Sequence, residues 1–230
     1  VLGIAWALLQ PVALVSIYTM VFARVARMPS DGKPYSLFAF TALLPWLCFS
    51  SSVTTATNGL VSHSHLVTKV YFPRELLPLT YVVAALFDFL IASVLLAGML
   101  LRHGVSLSWN VLYVVPILIT LVLFACAMAL FLSATQVYFR DIGMAMPLLL
   151  QVWMFATPVV YPLSVVPDRL RPLYDLNPLV GITDGFRRAV LGGEAPDLAN
   201  LGVSATVALV LLALSYAYFK NIEATVADVV

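Results

Sequence analysis

The chain has 230 residues, of which 62% are hydrophobic and only 10% are charged, against roughly 45–50% and about 25% in an ordinary soluble domain. With a mean hydropathy of +1.01, a soluble single domain is excluded. Twelve Lys and Arg stand against eleven Asp and Glu, so there is no basic surplus to follow a nucleic-acid backbone. Cys48 and Cys126 both lie inside apolar runs, which removes a disulfide framework or a CxxC pair and leaves the compartment unread.

A bilayer core of about 30 Å takes roughly 20 helical residues, and six uncharged or nearly uncharged runs can supply them. The first predicts a span over about 2–23. It has no basic leader and is followed by further spans, so it is not read as a cleaved signal peptide; it starts without methionine, and a native segment is expected to precede it. The second run predicts a span over about 36–60, leaving at the Ser/His-rich stretch after Gly59. The third covers 76–101 and is interrupted by Asp88 near its middle. The fourth is placed at 110–133, the fifth at 143–161 in a run whose last third carries three prolines, and the sixth at 198–219. No internal repeat or long linker divides the chain, so 1–230 is expected to be one all-α polytopic domain with short re-entrant or interfacial helices between the fifth and sixth spans.

Lys and Arg favour cytoplasmic loops, but here they do not orient the chain. Loops one, three and five carry eight, and loops two and four with the tail carry four. Removing the long fifth loop, which the rule weights poorly, leaves four on each side.

No phosphate cradle GxxxxGK[ST], no HExxH and no GxSxG occurs, so the usual enzymatic signatures are missing. His63 and His65 form a lone HxH without a third His or a nearby Cys, better read as a solvated loop than as a metal site. Asp88 is costly at mid-bilayer. It is expected to be buried and hydrogen-bonded between helices, with a role in a translocation path as the alternative. The stretch Ser50, Ser51, Ser52, Thr54, Thr55, Thr57 and Asn58 in the second span reads as close helix packing with hydrogen bonds across the contact, or as a polar wall along a conduit. The loop Ser62–Leu77 mixes basic and aromatic residues, as a membrane-lying connector or a docking element does. The fifth loop, 162–197, is too long for a turn. In it Asn177 is placed to cap a helix starting at Pro178, with Gly192 as its left-handed stop. Leu179, Ile182, Phe186 and Val190 share its apolar face, Asp184, Arg187 and Arg188 lie elsewhere, and a length of about 21 Å is too short to cross a bilayer.

KVYFPRELLPL after the second span, YFRD after the fourth, and PVVYPLSVVP leading to NPLVGITDGFR before the last resemble the membrane (permease) subunit of polysaccharide-exporting ABC transporters, the O-antigen, capsule and teichoic acid exporter family. The likeness covers nearly the whole chain, including MPSDGKPY and the closing EATVADVV. It implies a non-enzymatic permease in the bacterial inner membrane, working as a homodimer with two copies of an ATP-binding protein that carries ATP and Mg. The complex would move a lipid-linked glycan, such as the O-antigen of lipopolysaccharide, from cytoplasm to periplasm, and this chain would hold no cofactor and no metal. The resemblance implies coupling to the ATPase through His65, Lys69, Tyr71, Phe72, Arg74 and Glu75 in the second loop and Tyr138, Arg140 and Asp141 in the fourth. It makes Trp6, Tyr18, Phe22, Trp153, Phe155 and Tyr161 candidates for glycan contact along the path. Asp168, Arg169, Asn177, Pro178, Phe186, Arg187 and Arg188 fall at a periplasmic gate, where Arg187 and Arg188 are expected to stay near water. The basic amphipathic helix with which the family opens is not within the chain. A small-molecule or drug exporter of the same plan is the alternative; an intramembrane enzyme acting on a lipid-linked sugar would need paired carboxylates or a metal cluster, and a secondary carrier would show an inverted repeat.

Overall fold

A computed structural model describes residues 3–25, 27–30, 32–69 and 72–229, with side chains for all of these except 3–8, 66–68 and 224–229. Every regular element among the described residues is helical. This is the solution a chain reaches when its apolar runs must satisfy their own backbone polar groups. Helix α1 (Gly3–Tyr18) runs into a π-helical turn at Thr19–Val25. It is followed by α2 (Tyr35–Ser62), the short α3 (Ser64–Lys69), α4 (Leu76–Arg102) and α5 (Val114–Tyr138), the last entered through a 3₁₀ turn at Trp109–Tyr113. Then come α6 (Ile142–Phe155), α7 (Arg171–Asp175), α8 (Pro178–Arg187) and α9 (Leu198–Val229). Four helical segments are long and apolar enough to cross a membrane: Tyr35–Ser62, Leu76–Arg102, Trp109–Tyr138 and Leu198–Glu223; Leu9–Val25 and Ile142–Phe155 are apolar but shorter.

The core forms around α2, which packs against α1, α4, α5, α6 and α8. Lipid is as apolar as Leu, so helices associate by close packing rather than by escape from water, and the contact faces carry small residues accordingly: Ala39, Ala42 and Ala56 on α2, and Ala125, Ala129 and Ala134 on α5, are all buried. At Gly59 a Cβ would stand 2.6 Å from the Tyr81 ring of α4, so any side chain there would displace that ring from the crossing. Between α2, α5 and α6 the Phe49 and Phe124 rings stack at 5.0 Å, and the Trp153 ring meets both edge-on at 5.4 and 6.0 Å.

Helix α6 ends at Phe155, short of the 161 expected from composition. Pro158 and Pro162 are the reason: each lacks an N–H and disfavours helical geometry in the residue before it. The sixth apolar run, expected to end at 219, continues as helix to Val229, because nothing after Phe219 breaks it.

Candidate functional site

At one end of the bundle the second loop and the fourth loop are each held by polar side chains. Arg74 donates its backbone N–H to Glu223 Oε1 at 3.4 Å and a guanidinium N–H to the Glu223 carbonyl on α9. Lys220 Nζ lies 2.8 Å from both Glu75 Oε1 and Glu223 Oε2. Partial burial pushes the Glu75 carboxyl upward, but the hydrogen bond and charge of Lys220 outweigh it and hold the group below its ordinary value. His65 and Lys69 are exposed, Phe72 is half-buried, and Tyr71 lies outside the described residues. His63 Nδ1 stands 3.1 Å from the Gly59 carbonyl and 3.2 Å from the Tyr81 hydroxyl.

The fourth loop is short: Tyr138 ends α5, and Ile142 begins α6. Gln136, 4% exposed, fixes it. Its amide donates to the Arg140 carbonyl at 2.9 Å and to Asn58 Oδ1 at 3.3 Å, and its oxygen accepts from Gly143 N–H at 2.7 Å. A Cβ at position 143 would sit 2.4 Å from Asn58 Oδ1, so the glycine is required by the clamp. Tyr138, Arg140 and Asp141 remain on the exposed surface.

Midway along the helices, Gln10, Ser50, Ser51, Thr54, Thr55 and Asp88 line a groove of about 300 Å³ between α1, α2 and α4. The structure corrects two expectations here. Asp88 is exposed rather than buried, because α4 packs through Val82, Ala85, Phe89, Ala92 and Leu96, and position 88 falls at the edge of that stripe. The hydroxyls do not reach across to other helices among the described residues: Ser52 donates to the Cys48 carbonyl at 2.6 Å, Thr55 to Ser51 at 2.7 Å and Thr57 to Val53 at 2.6 Å, all within α2. Asn58 alone of that stretch is seen to bond another helix, through Gln136.

At the opposite end a buried non-helical segment, 156–162, meets α8. Pro158, Val159 and Val160 are buried, and backbone that leaves a helix inside the protein must find other partners. Arg187 supplies two, its Nη2 donating to the Pro158 carbonyl at 2.8 Å and to the Val159 carbonyl at 2.9 Å, with the guanidinium 3.8 Å above the Phe38 ring. Tyr35 supplies the third, donating to the Val160 carbonyl at 2.7 Å. Asn177 caps α8 by accepting from Leu179 N–H at 3.2 Å. It also receives the Trp153 indole N–H at 3.3 Å and donates to Thr157 Oγ1 at 3.1 Å.

Helix α8 has no watered face: every residue from Pro178 to Arg187 is buried, packed by α2, α5 and α9. Arg187, expected near water, is 6% exposed, because carbonyls and an aromatic ring replace its hydration. Arg188 is half-exposed and bridges Asp184 at 2.7 Å. The left-handed stop falls at Gly193 (φ +63°), after a π-helical turn at Arg188–Gly192, and not at Gly192. Asp168 and Arg169 lie on the exposed surface.

The aromatic candidates are not one surface. Trp153 is engaged within the core, while Tyr18 packs edge-on to Phe22 at 5.9 Å. Phe155 is 47% exposed, and Tyr161 donates to the Phe155 carbonyl at 2.7 Å and stands 2.9 Å from the Tyr174 hydroxyl. The Trp6 side chain lies outside the described residues. Sequence reasoning passed over Tyr35, Gln136, Lys220 and Glu223. Gln136, as a lone amide in an apolar run, was the detectable signal among them.

The ABC-2 type transporter family matches residues 1–191. The chain belongs to that family. It is also similar to the O-antigen export system permease protein RfbA of Myxococcus xanthus, 34% identical over 223 residues that cover 96% of this chain and 85% of that protein. The RfbA permease of Klebsiella pneumoniae is 25% identical over 232 residues, covering 100% of this chain and 88% of the relative. The polysialic acid transport protein KpsM of Escherichia coli is 23% identical over 227 residues, covering 96% and 86%. These relatives are export permeases and a transport protein.

Proposed function

We propose that this chain is the channel-forming permease of an ATP-driven exporter that moves a lipid-linked polysaccharide of the O-antigen kind across the bacterial inner membrane, from cytoplasm to periplasm. The observation that carries the reading is the near-full-length similarity to O-antigen export permeases. In this reading the chain crosses six times, with α1 and α6 completing the set begun by the four longer helices, and it works as a homodimer with two copies of an ATP-binding subunit that holds ATP and Mg. The end that carries the Arg74–Glu75 and Tyr138–Asp141 loops faces the cytoplasm and receives the ATPase motion. The end closed by α8 and the 156–162 segment is the periplasmic gate. Asp88 and the hydroxyls of the mid-helix groove form part of the polar wall along the path. That is supported by their lining one groove, with Ser50 and Thr55 donating only to carbonyls of their own helix.

The purified chain is expected to lack ATPase activity alone and to copurify with an ATPase. Loss of its gene should strip the long-chain surface polysaccharide from the cell, and the triple substitution Lys69→Ala, Arg74→Ala, Glu75→Ala should leave hydrolysis running while export stops. Unchanged surface polysaccharide after deletion, or undiminished export by the triple variant, overturns the corresponding half of the proposal.

A further inference from the structure

The clamp between the second loop and α9 joins residues 149 positions apart, and it is more than a surface ion pair. The side chains of Glu75, Glu223 and Lys220 are 17%, 24% and 36% exposed, one ammonium serves two carboxylates, and Arg74 adds two hydrogen bonds to the same turn. Glu75 Oε2 is buried without a hydrogen-bond partner, so the carboxylate depends on Lys220 for its compensation. Beneath the charges, Leu60, Leu130 and Phe219 bury a small apolar cluster that joins α2, α5 and α9.

Helix α9 runs unbroken for 32 residues with no proline. Sixteen residues before Lys220, about 24 Å along the helix, it meets α8. A Cβ at Gly181 would stand 2.3 Å from Ser204 Oγ and 3.0 Å from the Asn200 carbonyl, so the two helices touch backbone to backbone. One stiff element therefore grips the second loop at one end of the bundle and the short buried helix at the other.

We infer that α9 is a connecting rod between the coupling loop and the gate, and that Lys220 and Glu223 are positioning residues that fasten the loop to it. The inference rests on the proposed reading of the second loop as the coupling element. When the ATP-binding partner displaces that loop, α9 moves with it and carries the motion to α8. Packed interfaces of this kind shift between discrete arrangements rather than deform smoothly, and the physical evidence for such coupling is an element whose position both sites bias. Covalent continuity delivers the loop's motion to α2 and α4, and apolar packing joins α9 to α2 and α5; the charge clamp is what fastens the loop itself to α9.

The test uses the complete transporter with Cys48 and Cys126 replaced by Ser and Thr183→Cys introduced. Thr183 is fully buried in α8 and donates to the Leu179 carbonyl within its own helix, so a thiol there reports α8 movement. The parent should show a several-fold change in labelling by a membrane-impermeant maleimide between resting and vanadate-trapped states. Lys220→Met should abolish that change and lower export per ATP several-fold, while hydrolysis continues. Lys220→Arg, which keeps the charge and the two partners, should restore both. Persistence of the labelling change in Lys220→Met overturns the inference, as does parallel loss of hydrolysis and of folded protein in the membrane, which marks a merely structural clamp. No labelling change in the parent overturns the gate reading, and the rod with it.

Discussion

Removing the Arg187 guanidinium tests the clamp on the 156–162 segment most directly. In Arg187→Met the apolar stem is retained, while the Pro158 and Val159 carbonyls lose their donor and the Phe38 ring loses its cation. A hydrogen bond from a charged donor is worth about 1.5–3 kcal/mol, and a desolvated cation–π contact about 1–2 kcal/mol. Against these stands the relief of no longer burying a charge, so the net loss is taken as about 2–4 kcal/mol, the cost of leaving two buried carbonyls without a donor. For a chain of this size that is a fall in Tm of about 10 °C. Arg187→Lys should lie between the parent and Met, because a compact ammonium cannot lie flat on the ring and serve two carbonyls at once. Differential thermal unfolding in detergent reads the global effect, and amide exchange across 157–161 locates it. If Arg187→Met melts with the parent and that segment's protection is unchanged, the clamp does not hold the end of the bundle closed.

Gly143→Ala should destabilise the fourth loop by about 1–3 kcal/mol, because the added Cβ meets Asn58 Oδ1 and Gln136 Nε2 at 2.4 and 2.7 Å; proteolysis within 138–143 is the local readout. Tyr35→Phe should cost about 1 kcal/mol through the lost bond to the Val160 carbonyl, measured by the same melting assay. Because the Glu75 carboxyl sits below its ordinary value, its contribution to stability is complete above the unfolded carboxylate range near about 4.3 and is lost as pH falls through the folded value. Glu75→Gln should therefore flatten the acid side of the melting profile between about pH 5 and pH 3, and an unaltered profile rules out that linkage. Asp88→Leu should reduce export without lowering Tm, since Asp88 is exposed on the groove. A large fall in Tm would show instead that the acid holds helices together.

Much of this protein was determined by local sequence. Uncharged apolar runs compel helix because unpaired backbone groups are intolerable in hydrocarbon, and α2 and α4 begin and end within two residues of where composition places them. Asn177 followed by Pro178 encodes a helix start through a side-chain acceptor and a pre-set φ, and the structure forms that cap. What sequence could not decide was which polar side chains meet. Arg187 sits at a position that periodicity assigns to the polar face of a short helix, and only the tertiary arrangement brings two orphan carbonyls and the Phe38 ring to it. Asp88 has the same ambiguity in reverse: an acid in mid-helix demands company, but its place at the edge of the α4 packing stripe leaves it on a groove. Arg74, Glu75, Lys220 and Glu223 form one cluster across 149 positions of sequence. Periodicity reports which face of a helix is apolar, whereas pairing between distant helices depends on rotation and height within the bundle, quantities set by packing of the whole chain.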